Sequence, residues 1–495
     1  MNLASYQRDI RGRLADEVGT LFKDAPERVG LLYPSPYHVA MSSLGFQTIY
    51  RAINEQPGRA AERAFLPDDT EDHLAARLPL LAYESQRPLG DFPVVAISVA
   101  FELELAGLVR ALQVAGIAPL AEDRPEHAPF ILCGGPLTFS NPLPLSPFAD
   151  AILMGEADET IHAALDAIFE RGSRKERLEA LAELPSCFVP SIHGDRMPAG
   201  AKCADALLPA HAVIRTPHTE LRNMFLIEAE RGCSRGCSYC VMRRSTNGGM
   251  RVVPAEKILS LIPPDVTKVG LVGAAVSDHP KICEIIETLA DRGVSVSLSS
   301  LRPDRLNDRF IAALRRAGHS QLTTASDGAS QRLRDTVNRK TRASHLSNVA
   351  QLAREHGMKR LKLYMMVGLP DETDNDIDEL IGFGTEISKI IPLSLGIAPF
   401  VSKRNTPLDG LPFAGIRTVE ARLARLRKGV RGKVDIRATS ARWAHVEYVL
   451  AQGGPAEGRA VYDAVLAGGR YAHYQRAFAA LPAARKRRAL AIAAQ

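Results

Sequence analysis

Three cysteines, Cys233, Cys237 and Cys240, lie in the stretch Glu230-Arg231-Gly232-Cys233-Ser234-Arg235-Gly236-Cys237-Ser238-Tyr239-Cys240 and constrain this chain more than any other feature. They follow the apolar run Met224-Phe225-Leu226-Ile227, which reads as a buried strand. Thiolates are soft ligands suited to iron–sulfur clusters or zinc, and a complete set for either is ordinarily four. Here the CxxxCxxC spacing supplies three. The next cysteine along, Cys283, sits in a helical pattern flanked by Ile282 and Ile285 and reads as a core residue. A cubane on three cysteines keeps one iron open for another ligand. A structural zinc would instead need a histidine such as His211 or His218 to close the set.

With 495 residues, 46% hydrophobic and 24% charged, the chain has material for two or three globular domains. The first 25 residues carry Arg8, Asp9, Arg11, Arg13, Asp16 and Glu17, so a secretory signal is not expected, and no apolar run is long enough to span a membrane. A cytoplasmic location follows as the expectation. Seven cysteines, four of them scattered at 133, 187, 203 and 283, do not form a disulfide framework, and a reducing compartment suits a cluster. The net charge of +6 is spread along the chain, with one dense run at Arg485-Lys486-Arg487-Arg488. That run reads first as a solvated helix end and second as a nucleic-acid contact.

The chain before the cysteines alternates. Residues 1–27 read as an amphipathic leading helix with Leu14, Val18, Leu21 and Phe22 on one side. Apolar strands then begin near Val29–Tyr33, Val94–Val99, Phe130–Cys133 and Ala151–Met154, with helical patterns between them, notably Leu103 to Ala115 and 160–185. Such alternation predicts a parallel sheet covered on both faces, with ligands beyond the carboxyl ends of its strands. The stretch 190–222, rich in proline, histidine and small residues, reads as a linker. From Met224 the alternation resumes, with strands near 224–229, 268–272, 294–299, 321–325, 361–367 and 393–398. Beyond 413 the pattern is mainly helical, with Val434-Asp435-Ile436 as a short strand and aromatics at Trp443, Tyr448, Tyr462, Tyr471 and Tyr474.

The cysteine spacing, the aromatic Tyr239 and the preceding strand together resemble the signature of the radical S-adenosylmethionine (SAM) superfamily, in which SAM chelates the open iron. The N-terminal third is similar to the cobalamin-binding domain that precedes the barrel in one large branch. That likeness is carried by Tyr33-Pro34-Ser35-Pro36-Tyr37, Met41 to Phe46, Ala61 to Pro67, and Gly134-Gly135-Pro136 through Asn141-Pro142 to Gly155-Glu156. The resemblance implies an α/β chain: a Rossmann-like cobalamin-binding domain over 1–189, the linker 190–222, a partial (β/α)6 barrel over 223–412 and a helical region over 413–495. It implies cobalamin contacts from Tyr37, His38, Ser98, Gly134, Gly135, Gly155 and Glu156. The stretch Pro36-Tyr37-His38 departs from the DxHxxG loop that offers cobalt a histidine, having neither its aspartate nor its glycine. This favours a corrin without a protein lower ligand.

For SAM the resemblance implies Tyr239, Gly273, Ala274, Ser300, Arg302, Asp327 and Gly368. The turn Gly273-Ala274-Ala275 stands where the family has a Gly-Gly-Glu-like turn, but it lacks the glutamate. Arg302 offers a planar fork suited to the SAM carboxylate. Asp327 occupies a family glutamate's place, Arg339-Lys340 that of an asparagine-lysine pair, and Gly368-Leu369-Pro370 matches the turn facing adenine. The implied cofactors are a [4Fe-4S] cluster, SAM and cobalamin, and the implied activity is methyl transfer to an unactivated carbon or phosphorus through a 5′-deoxyadenosyl radical. A rearrangement or cyclisation without methyl transfer, or a non-enzymatic metal- and corrin-binding protein, are the other readings. A small molecule, a peptide or RNA would be substrate, with flavodoxin or ferredoxin as electron donor and no membrane partner. No upstream cysteine cluster of the methylthiotransferase kind is present.

Overall fold

Five parallel strands order the first part of the chain, and the computed structural model describes residues 2–170, 172–243 and 248–482. Strands β1 (Glu27–Tyr33), β2 (Arg59–Phe65), β3 (Val94–Ser98), β4 (Phe130–Gly134), β5 (Ala151–Leu153) and β6 (Cys187–Phe188) lie in the order β2-β1-β3-β4-β5-β6, with only β6 antiparallel. Because side chains alternate along a strand, β1 sends Val29 and Leu31 to one core and Leu32 to the other. The helix Leu44–Glu55 covers the first face with Phe46, Tyr50 and Ile53, and the helix Glu104–Val114 covers the second with Leu105, Leu108 and Leu112. The strand order reverses at β1 and β3, which opens a crevice at their carboxyl ends.

Two expectations change here. The leading helix ends at Ala15 and buries Tyr6 and Ile10, while Val18 and Phe22 are exposed. The pattern at 160–185 is two helices, Thr160–Phe169 and Arg174–Glu183, the second starting from a Ser173–Glu176 capping box. The stretch 190–222 bonds to both sides as it runs between the two parts: Ala201 bridges Gly155, just beyond β5, and Ala212 N donates to Leu226 O.

The second part holds β7 (Phe225–Glu228), the hairpin strands β8 (Glu230–Arg231) and β9 (Arg251–Val252), then β10 (Lys268–Val272), β11 (Ser295–Leu298), β12 (Gln321–Asp327), β13 (Arg360–Val367), β14 (Leu393–Pro399) and β15 (Val434–Ala438). The six expected strands are all present, in two parallel sheets ordered β11-β10-β7 and β12-β13-β14-β15. One apolar core joins both sheets to their outer helices, as in a partial barrel. β15 comes from the mainly helical C-terminal region and extends the barrel sheet by pairing with β14. The following helices Ala441–Gln452, Pro455–Leu466 and Tyr471–Ala479 return to the first domain, where Val446, Leu450, Val461 and Tyr474 join its core. Among the described residues no helix is long and apolar enough to cross a membrane. The Arg485–Arg488 run lies outside the described residues.

Candidate functional site

The cysteine loop leaves the carboxyl end of β7 and β8 and is held from three sides. Ser234 Oγ donates to Asp278 at 3.2 Å, and Arg235 Nε pairs with the same carboxylate at 3.3 Å. Asn338 Nδ2 donates to the Gly236 carbonyl at 2.9 Å, and Ser238 N donates to Val337 O at 3.1 Å. Tyr239 bonds Asp327, which pairs with Arg339 at 2.5 Å, and Arg339 also reaches the Cys237 sulfur. Burial pushes the Cys233 thiol up and the Cys240 thiol up to about 11, and the negative charge of the neighbouring cysteines adds to both. Thiolates collected this way call for a cation. Neither histidine proposed for a zinc set is at hand, since His211 lies against Arg51 and Phe225, and His218 pairs with Asp16 at 2.7 Å.

Glu230, three residues before the first cysteine, is fully buried. Its Oε1 accepts from Ala275 N at 2.6 Å, and its Oε2 has no partner. Burial, with the charges of Glu228 and Asp278, pushes this carboxyl up to about 7. The turn after β10 is shaped around it, because a Cβ on Gly273 would lie 2.2 Å from Oε1. Ser299 and Ser300 hydroxyls both donate to the Gly273 carbonyl at 2.9 Å. A glutamate from a neighbouring strand end thus reaches the Gly273-Ala274-Ala275 turn, which has none of its own. An orphaned buried carboxylate oxygen beside an open-iron cluster loop fits the ammonium of SAM.

The residues read as SAM contacts are gathered at these strand ends, and several of them are already engaged with protein partners. The Arg302 guanidinium faces Asp278 at 2.6 Å and Asp304 at 2.5 Å, so its fork braces the loop that carries Ser234 and Arg235. Burial works against the Asp278 carboxylate, yet Arg302 and Arg235 hold it below its usual range. Ser300 Oγ also accepts from Val276 N at 3.1 Å. Asp327 has φ +62° beside a register shift in β12, an unusual backbone for a residue with a side chain. Gly368 N donates to Glu372 at 2.9 Å. Lys340 is exposed.

A cavity of about 350 Å³ opens at the carboxyl edge of the first sheet, and its far wall is formed by the strand ends of the second. Ser98, Gly134, Gly135, Gly155 and Glu156 all line it, and Arg231, Met242 and Val272 face them. Gly135 has φ +106°, and a Cβ there would lie 2.7 Å from the Val99 carbonyl oxygen. Tyr37 and His38 stand outside this lining: the Tyr37 hydroxyl is buried on Glu17 at 2.5 Å and Thr216 at 3.1 Å, while His38 is exposed beside Asp68 at 3.8 Å. Glu156 is committed as well. Its carboxylate pairs with Arg251 and Arg231 and accepts from Cys203 N, which locks the two sheets together. Glu156, Asp158 and Cys203 converge, but Arg231 already neutralises them, so they are no vacant cation site. The volume is at the low end for ligand pockets. An apolar, glycine-walled cleft of this size fits the nucleotide tail of a corrin, while the macrocycle itself needs more room.

Residues 45–190 match the family model for the N-terminal region of radical SAM proteins, and residues 227–384 match that of the radical SAM superfamily. An uncharacterized protein of Methanocaldococcus jannaschii is 24% identical over 77% of this chain and 79% of its own length. The ribosomal protein uS12 methylthiotransferase RimO of Clostridioides difficile is 25% identical over 38% of this chain and 45% of that protein. Among solved structures, the radical SAM methyltransferase TsrM of Kitasatospora setae, with tryptophan substrate and a SAM analog bound, superposes with a TM-score of 0.52 at 13% identity over 74% of this chain and 72% of that one. The cobalamin-dependent SAM radical enzyme OxsB with aqua-cobalamin gives 0.50 at 12% identity over 82% of this chain and 58% of that one. At such identities the likeness is one of fold.

Proposed function

Because this chain belongs to the radical SAM superfamily and carries that superfamily's N-terminal domain ahead of the barrel, we propose that it is a cobalamin-dependent radical SAM enzyme transferring a methyl group to an unactivated carbon or phosphorus. The observation that carries this reading is the cavity between the sheets, which has strand-end glycines on one wall and, on the other, Arg231 and Met242, the residues just before and just after the cysteine loop. When bound, the reduced cluster supplies an electron for SAM cleavage and the corrin supplies a methyl carrier. Cys233, Cys237 and Cys240 would ligate three irons, with the fourth left to SAM. Glu230 Oε2 would take the SAM ammonium, with Gly273 clearing its path. Asp278 and Arg302 fix the loop that would hold the cluster, and the apolar cleft would exclude water from the bound groups. Ser98, Gly134 and Gly135 would line the corrin tail. The chain's seven free cysteines suit a reducing, cytoplasmic setting, and a flavodoxin or ferredoxin would be the electron donor.

Anaerobic reconstitution with iron, sulfide, hydroxocobalamin and SAM tests this. Methyl transfer requires both 5′-deoxyadenosine and S-adenosylhomocysteine, and a C237A variant should form neither. A rearrangement would give 5′-deoxyadenosine alone. A zinc-binding scaffold would give no SAM cleavage and contradict the proposal.

A further inference from the structure

We infer that the inner face of the β12-β13-β14-β15 sheet is a substrate platform for a small planar molecule bearing an anionic group, an inference that rests on the proposed function of the barrel. Alternate residues of β13, Leu361, Leu363, Met365 and Val367, are buried in the helix-covered core. Lys362 and Tyr364 therefore face the other way, toward the barrel interior. Tyr364 is 47% exposed although its strand is paired on both sides. Its cross-strand neighbours are Ala325 and Gly396, and its ring occupies the space of a Gly396 side chain, a Cβ there lying 2.8 Å from two ring carbons. Large aromatic surface on a floor of small residues suits stacking of a flat ligand.

The charge on this face is positive. Arg360 and Arg437 share the one carboxylate of Asp435, at 3.3 Å and 3.0 Å. Lys362 Nζ bonds the Tyr364 hydroxyl at 2.8 Å and lies 4.5 Å from the centre of the same ring, and no carboxylate pairs with it among the described residues. An ammonium without a carboxylate partner, held beside a half-exposed aromatic ring, attracts an anion. Tyr364 lies three residues, roughly 10 Å, below the strand end that carries Gly368, on the side of the barrel from which a substrate would meet bound SAM.

The test is titration of the full-length reconstituted protein with 2-naphthoate and uridine 5′-monophosphate, beside uncharged 2-naphthamide and uridine. Each anion should bind about tenfold or more tightly than its neutral counterpart. K362M should abolish that preference while keeping the neutral ligand's Kd, and Y364A should weaken both members of a pair. The pair with the larger ratio of anion to neutral affinity separates a carboxylate from a phosphate as the anionic group. Equal affinities for charged and neutral ligands, no saturation by any of the four, or a preference that survives K362M would overturn the inference. Should Y364A fail to fold, the K362M comparison decides. Reductive SAM cleavage, measured on the same preparation, separates failure here from failure of the proposed function.

Discussion

At the scale of single residues, Glu230 is the most informative position. Its carboxyl, raised from about 4.5 to about 7 by burial, holds a proton in the folded chain that it has lost in the unfolded one across that window. Stability from this group is therefore full below the unfolded value and falls as pH rises toward 7, by about 3 kcal/mol in total. E230Q should flatten the pH dependence of unfolding between about pH 4.5 and 7. The same substitution should weaken SAM binding to the reconstituted protein by about tenfold or more in equilibrium dialysis, with iron content unchanged. Unchanged affinity would remove Glu230 from the SAM site. The sequence shows this glutamate plainly, yet not its role, because the Gly273 turn it completes lies on another strand. Arg302 teaches the converse: a guanidinium is visible in sequence, but the carboxylates of Asp278 and Asp304 that occupy it come from separate turns.

At the scale of elements, apolar strands were legible and a charged one was not. β2 is buried along its whole length, yet reads Arg-Ala-Ala-Glu-Arg-Ala-Phe. Its Arg63 is fully buried between Glu17 and Glu84, at 2.7 Å and 2.6 Å, and Glu62 pairs with Arg28 at 2.5 Å. Those partners lie far along the chain, so no local pattern announces the strand. The leading helix misleads for a related reason, since Val18 and Phe22 continue its apolar spacing past the point where the chain turns away. Helix starts carry their own chemistry. Asp376 caps the helix Asp374–Ile390 through Thr373, accepts from Ser330 Oγ at 2.5 Å and pairs with Arg332 at 2.5 Å. Despite its burial, these bonds hold its carboxyl down to about 2. Its contribution is present above its unfolded value near 3.8 and is lost as pH falls toward 2. D376N should cost about 2 kcal/mol at pH 7 in urea unfolding, and little at pH 2.

At the scale of the molecule, the C-terminal region is a strap over both sheets, which helical periodicity alone did not disclose. β15 extends the barrel, and Asn141 of the first domain donates to the carbonyls of Leu450, Ala451 and Gly453. Lys403, after β14, pairs with Glu102 of the first domain at 2.6 Å and with Glu447 of the strap at 2.7 Å. Burial opposes its charge, but the two carboxylates hold its ammonium above the usual lysine range. K403M would strand the buried Glu102, and should cost about 3 kcal/mol or more in thermal unfolding. A loss under about 1 kcal/mol would mean the junction is not tied there.

The strap and the Glu156–Arg251 lock fix the first sheet's strand ends opposite Arg231 and Met242, which flank the cysteine loop, and the proposed function requires that facing arrangement. Electron paramagnetic resonance of the reduced, reconstituted protein loaded with cob(II)alamin tests it most directly, because both centres then carry unpaired spins. Mutual broadening or faster relaxation of the two signals is the expected result. A simple sum of two independent spectra, or no retained corrin, would contradict it.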